Sequence, residues 1–502
     1  MESTPRVKPI TGWLSRGLLA VALAGASFAS VAQDQGNSLP DMGNSAENFL
    51  SDSEEADYAR AIIMQMRKYN ILVDDPLIAG FFADMGYRIV AHSEKPDKPF
   101  TFVVIDQPQV NAFAAPGGVV ALHSALILAA DNQDEVAGVL AHEVAHITQL
   151  HLYRTLESTQ RMTIPIVLGM LAIAIAGGGS GEAITGAMAG GQAMAQQAYI
   201  NFTRANETEA DRIGIKTLSR AGYDPEGMVD FFEKMGRLTR ASGDATPDFL
   251  RTHPVSVNRI AEAKNRAASM PRPEPRDELD FYLVQARLRA LLEDQPQDAV
   301  AWFRDQLGKA QDETRLRADQ YGLAIALERQ RKFDEARGLL QELLDSNQPQ
   351  LAYQLQMAEL DRESGNLGAD LERLGGLYHS FPGNRAISLQ YAASLLQTKD
   401  PEQAATAREI LHQQILRKGD DPRVFEMYAQ ASNLAGDKVR ASEAMAEAYY
   451  QRGRIKDAMQ QLEMLEHRDD LDYYQRARVG ARLAEMRTMA DKMGKEGGDQ
   501  QG

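Results

Sequence analysis

Small residues recur at a fixed interval through the second half of this chain, and that interval restricts the fold more than any other feature. Ala324, Ala358 and Ala392 stand thirty-four residues apart, as do Ala336, Asp370 and Ala404; Phe333, Leu367 and Pro401 keep the same offsets. A period of that length holds two helices and two turns, with the small groups where the helices cross. One such hairpin cannot bury its apolar face alone, so successive hairpins stack. Residues 271–490 are therefore expected to form an all-α solenoid, less regular after Ala404, where Gly436-Asp437 and Gly453-Arg454 mark helix ends. Residues 491–502 read as a disordered tail.

Lys332-Phe333-Asp334-Glu335-Ala336 and Pro382 stand at consensus positions of tetratricopeptide repeats, which implies a concave surface that holds a partner or client. The Pro-rich joint Pro271-Arg272-Pro273-Glu274-Pro275 separates this array from residues 33–270.

That earlier segment carries the chemistry, in His142-Glu143-Val144-Ala145-His146. Two histidines at i and i+4 of a helix project from one face, so both imidazoles reach one metal ion, and Glu143 can address a water on that metal as a general base. Asp131 or Asn132 can cap the helix, and Val136, Val139, Leu140, Val144, Ile147 and Leu150 recur at near-helical spacing. With only nine histidines in the chain, an accidental match is improbable. The pattern reads as a zinc hydrolase with one zinc per chain, which needs a third protein ligand and an open position for water. Gln149 and Leu152 stand where a third histidine ligand of the metzincin type would need Gly and His. His151 falls half a turn off the ligand face and reads as a surface residue. Downstream, Glu207 and Asp211 share a helix face, so one can ligate while the other accepts the N–H of a ligand histidine; Glu209 points elsewhere. Acidic residues at a helix start would also suit the dipole.

HExxH followed by Asn206-Glu207-Thr208-Glu209-Ala210-Asp211 resembles the M48 metallopeptidases, a gluzincin group. Asp75-Pro76 with Leu77, Phe81, Phe82, Met85, Gly86 and Ile89 is similar to that family's helix before the sheet. Asn111-Ala112-Phe113-Ala114-Ala115-Pro116-Gly117-Gly118 is similar to its active-site strand and hairpin, and Thr252-His253-Pro254 with Arg259 to its C-terminal motif. The resemblance spans roughly residues 50 to 270. It implies that His142, His146 and Glu207 bind zinc, that Glu143 activates water and that Asp211 orients a ligand. It also places His253 beside the zinc, either stabilising the tetrahedral oxyanion or occupying the open position and restraining the enzyme.

Phe100 to Ile105 and the run from Val110 through Pro116-Gly117-Gly118 to Leu122 read as strands with a turn. An exposed edge of so small a sheet can bind an extended peptide by strand addition, which makes Asn111 and Phe113 candidates for substrate contact; Arg259 is a third. At the N-terminus, Arg6, Lys8 and Arg16 precede an apolar run from Gly17 to Phe28, and Ser30-Val31-Ala32 suits a signal peptidase, so residues 1–32 are expected to be a cleavable signal peptide and the periplasm the destination. The chain has no cysteine and a net charge of −16, which argues against a lipoprotein anchor, disulfides and nucleic acid as a partner. Ile164 to Ala176 is apolar but too short to span a bilayer, and a Gly/Ala-rich tract follows it. Residues 164–198 suit core packing, a mobile lid, or a surface that touches membrane or an unfolded client.

The expected fold class is α+β, mainly α: a gluzincin-type metalloprotease domain with a small β-sheet, then an all-α tetratricopeptide solenoid. An M48 protease joined to such repeats behind a signal peptide resembles Gram-negative envelope proteases that attend β-barrel assembly. That implies unfolded or misassembled outer-membrane β-barrel proteins as clients, the assembly machinery as a partner through the repeats, and a chaperone-like role beside proteolysis. The alternatives are a scaffold with residual protease activity and a general periplasmic peptidase.

Overall fold

The computed structural model describes residues 50–156, 204–242, 248–309, 312–346 and 350–494. The expected signal peptide, the insert 164–198 and residues 495–502 of the expected tail lie outside the described residues, whereas residues 491–494 belong to the last helix and not to a disordered tail. Helix α1 (Asp52–Lys68) begins at a capping box, in which the Ser51 hydroxyl accepts the Glu54 amide and the Glu54 carboxylate accepts the Ser51 amide. Helix α2 (Pro76–Ala91) begins at Asp75, whose carboxylate accepts the amides of Leu77 and Ile78, while Pro76 occupies a first-turn position that needs no donor.

Three short strands follow: β1 (Thr101–Ile105), β2 (Ala112–Ala115) and β3 (Val119–His123). Their order is β1-β3-β2, with β3 parallel to β1 and antiparallel to β2. The reversal between β2 and β3 runs through Gly117 and Gly118, both at φ +75°, a backbone conformation that side-chain-bearing residues rarely adopt. Among the described residues β2 is paired on one side only.

After α3 (Ser124–Ala129) comes α4 (Gln133–Thr148), the metal-binding candidate. Asn132 is its N-cap, accepting the Glu135 amide. Short α5 (His151–Leu156), then α6 (Arg204–Arg220), α7 (Glu226–Ser242), α8 (Asp248–Thr252) and α9 (Val257–Ala267) complete this half. Two glycines let helices close on α4: a Cβ on Gly214 of α6 would lie 3.0 Å from the Ala141 carbonyl oxygen, and one on Gly138 would lie 2.7 Å from Met228 Cα of α7. Around α4 the core is Ile78, Phe82, Met85 and Ile89 of α2, Val104 and Leu122 of the sheet, and Met228, Phe231 and Met235 of α7.

The first of the remaining helices is shared between two cores. In α10 (Leu279–Leu292), Phe281, Val284 and Leu288 join the core around α4, whereas Leu279, Leu283, Ala286 and Ala290 join that of the next helices. Then come α11 (Pro296–Leu307), α12 (Glu313–Arg329), α13 (Phe333–Leu344), α14 (Leu351–Glu363), α15 (Leu367–Ser380), α16 (Arg385–Gln397) and α17 (Pro401–Arg417). Phe333, Leu367 and Pro401 each open a second hairpin helix, and Ala324, Ala358, Ala392, Ala336, Asp370 and Ala404 are all completely buried. The register shift after Ala404 has a local cause: α17 has 17 residues where α13 has 12 and α15 has 14. Helices α18 (Pro422–Leu434), α19 (Lys438–Gln451), α20 (Ile455–Glu466) and α21 (Tyr473–Gly494) follow. Ala446 and Ala458, twelve residues apart like Ala324 and Ala336, are again fully buried. The last helices pack back on the first: Ala61 and Met64 of α1 share a core with Tyr450, Leu462, Leu483 and Met486.

One buried cation ties the two halves together. Arg287 of α10 donates to Asp75 at the start of α2 (Nε to Oδ2, 2.9 Å), to the Tyr321 hydroxyl at 3.2 Å and to Gln356 Oε1 at 2.6 Å. We expect Arg287→Ala to cost about 3–5 kcal/mol, because it leaves the buried Asp75 without its charge partner. Urea denaturation of variant and wild type checks this, and a loss below about 1 kcal/mol would mean that the ion pair does not hold the halves together.

Candidate metal centre

Six side chains from three separate segments meet in the interior. On α4, His142 and Glu143 are completely buried and His146 nearly so. The first turns of α6 bring Glu207 and Asp211, also buried, against the same face, which the close approach at Gly214 permits. His253 follows α8; its amide donates to Phe249 O at 2.7 Å and its ring stacks on that of Phe249 with centroids 5.0 Å apart.

The donor atoms converge on one point. His142 Nε2 lies 3.0 Å from His146 Nε2 and 3.3 Å from His253 Nδ1. Glu207 Oε1 is 3.4 Å from His146 Nε2 and 3.1 Å from His253 Nδ1, and its Oε2 is 3.5 Å from His142 Nε2. Ligands at about 2.0–2.1 Å on a tetrahedral metal stand about 3.3 Å apart, which all five separations approach.

The outward faces of the rings explain why a cation belongs there. His142 Nδ1 is 3.0 Å from Asp211 Oδ1, and His146 Nδ1 is 2.9 Å from His151 Nδ1. When the protons sit on those outer nitrogens, both inner nitrogens are left as lone-pair donors for one cation. Burial lowers the basicity of His142, yet its bonds to Asp211 and Glu207 raise it to about 9, so the cluster draws positive charge to its centre. Burial works against ionisation of Glu207, but His253 and His142 hold it well below the ordinary carboxylate range. The residues present fit a metal ion.

Arg259 braces this arrangement from α9. Its guanidinium donates to both Asp211 oxygens (Nε to Oδ2, 2.6 Å; Nη2 to Oδ1, 2.8 Å) and to Pro254 O at 2.7 Å, and Nη1 lies 2.9 Å from Glu207 Oε2. It thus faces the carboxylates and the His253-Pro254 loop rather than the strand edge where substrate contact was expected. The other two candidates for that contact stay at the edge strand: Asn111 is buried, with Oδ1 accepting the Ala112 amide, and half-buried Phe113 meets the His123 ring edge-on at 6.1 Å. Among the described residues, Glu143 is faced by the Ala114 amide of β2 and by His253 Nε2, 3.5 Å from Oε1. Burial pushes this carboxyl up from its ordinary range, as a general base requires.

One neighbour was misjudged from the sequence. His151 is completely buried, not on the surface, and its Nε2 lies 3.2 Å from Glu209 Oε2. The reason is a break in the helix: Leu150 has φ +57°, ending α4 and turning α5 back so that His151 comes beneath His146. No Gly or Asn at 149–150 announces that turn.

HExxH, a carboxylate from a later helix and an outward carboxylate on a ligand histidine together define a metallopeptidase. The chain belongs to peptidase family M48, whose profile matches residues 82–267. It is 34% identical over 487 residues, 95% of this chain and 98% of the relative, to the Beta-barrel assembly-enhancing protease of Escherichia coli (strain K12). It is 30% identical over 95% of its length to a Putative beta-barrel assembly-enhancing protease of Vibrio cholerae, of which 98% is covered. A shorter likeness, 31% identity over 34% of this chain and 48% of the relative, links it to the Mitochondrial metalloendopeptidase OMA1 of Schizosaccharomyces pombe. Removing one inner nitrogen should abolish tight metal binding: elemental analysis of His146→Ala is expected to show most of the metal gone, and unchanged content would refute the assignment.

Proposed function

We propose that this chain is a zinc metalloendopeptidase of the bacterial envelope that assists outer-membrane β-barrel assembly and degrades clients that fail it. What carries the reading is the extent of the likeness to relatives named for that role: it runs through 95% of the chain and so takes in the helical array as well as the metal centre. A periplasmic location rests on the signal-peptide pattern of residues 1–32; among the described residues, no helix is long and apolar enough to cross a membrane. The hairpin array, read as tetratricopeptide repeats, is the surface for the assembly machinery, and residues 164–198 are a candidate for contact with membrane or client.

His142, His146 and Glu207 would hold one zinc, which when bound polarises a peptide carbonyl and acidifies water. Glu143, in a buried position beside the edge strand, would take the proton from an attacking water and deliver it to the leaving amine. Asp211 fixes the His142 ring through Nδ1, and Arg259 fixes Asp211. The open side of β2 offers main-chain groups to an extended client, which selects for unfolded segments rather than for sequence. A scaffold with residual proteolysis is disfavoured, because a site with this many buried ionisable groups costs stability that a scaffold would have no reason to bear.

His253 is read as a restraint. Its Nδ1 stands at ligand distance from His142 and Glu207 while its Nε2 faces Glu143, so it occupies the place where water and base would meet. An oxyanion-stabilising role would leave that place open.

Glu143→Gln should keep metal and fold but slow cleavage of unfolded casein by about 10²–10⁴-fold; near wild-type turnover would sink the mechanism. His253→Ala should show equal or higher casein turnover with broader cleavage. A loss of about 10²-fold with zinc retained would instead make His253 catalytic.

A further inference from the structure

We infer that His151 and Glu209 form a relay that orients His146 toward the metal, with His151 as a positioning residue. The inference rests on the metal site read above and adds two residues to it. His146 has one nitrogen directed into the donor cluster and the other 2.9 Å from His151 Nδ1. Since the inner nitrogen must be unprotonated to ligate, Nδ1 carries the proton and donates it to His151 Nδ1. His151 is then protonated on Nε2, which donates to Glu209 Oε2 at 3.2 Å. One carboxylate thereby selects the tautomer of two rings in succession. Glu209 is itself held by Arg154, whose Nη1 donates to Oε2 at 3.0 Å.

The backbone bears on the same point. Leu150, a side-chain-bearing and buried residue, sits at φ +57° between α4 and α5. Such a conformation is strained and persists where the surroundings hold it. Had α4 continued, the 151 side chain would have rotated away from the ligand face. The turn instead lays it edge-on against His146, ring centroids 4.9 Å apart. His142 has its counterpart in Asp211, braced by Arg259. Both ligand histidines are thus held from behind by a carboxylate, directly for His142 and through a second imidazole for His146. Orientation of this kind is worth about 10–100-fold in metal affinity.

The test uses full-length protein and zinc competition against a chromophoric chelator. His151→Phe keeps a flat ring but accepts no proton, and zinc should bind about 10–100-fold more weakly than in wild type. His151→Asn places an amide oxygen near the former Nδ1 and should recover most of the loss. Glu209→Ala, at a partly exposed position that keeps the fold, should weaken binding in the same direction. The variants' deficit in thermal midpoint should vanish once zinc is stripped from all of them. Equal affinity in His151→Phe and wild type overturns the inference while leaving the metal site intact. A deficit that persists without zinc, or that His151→Asn does not relieve, shows plain packing and also overturns it. Wild-type protein that binds no zinc overturns the site itself.

Discussion

Glu207 and Asp211 are taken out of water against a single guanidinium, that of Arg259, and Glu143 adds a third carboxylate at the same depth. An unmatched charge there costs several kcal/mol, so the interior tolerates this set only because groups able to carry positive charge, Arg259 and the His142 imidazole, stand among the carboxylates where a metal ion would also fit. That requirement organises the surroundings. It explains why two imidazoles turn their inner nitrogens toward each other, why Gly214 brings α6 so near α4, and why Arg259 also reaches the Pro254 carbonyl and so tethers the loop that carries His253. Glu143, His142, His146, Glu207 and His253 are parts of one electrostatic cluster.

The metal-binding half and the helical array are joined more closely than a Pro-rich joint suggests. Helix α10 serves two cores: one side completes the core around α4 and the other begins that of the hairpins. Arg287 anchors the start of α2 to α12 and α14, and α1 packs on α19 to α21. The helical array is therefore continuous with the core that supports the site.

Local pattern carried much of this. The apolar spacing around His142 specifies the helix, Asp75-Pro76 specifies the start of α2, and the thirty-four-residue recurrence of small residues specifies where hairpin helices cross. Each is a contact within one element or between neighbours, and such contacts leave a period in the chain. The shift after Ala404 was visible as a shift but not explicable until α17 proved longer than its counterparts.

What the sequence by itself determined is the set of groups able to hold a metal and the helices that present them, because i and i+4 on a helix face leave little geometric choice. Only tertiary structure decided which groups stand behind them. Arg259 was legible as part of a motif yet not as the brace of Asp211, since the pairing joins helices forty-eight positions apart. His151 was misread because its place depends on one left-handed residue, Leu150, whose conformation is imposed by packing and not by its own propensity. His253 reaches the centre only because α8 and the Phe249 ring set its direction. Long-range placement of this sort leaves no periodicity in a chain, so it becomes visible only once the fold has closed.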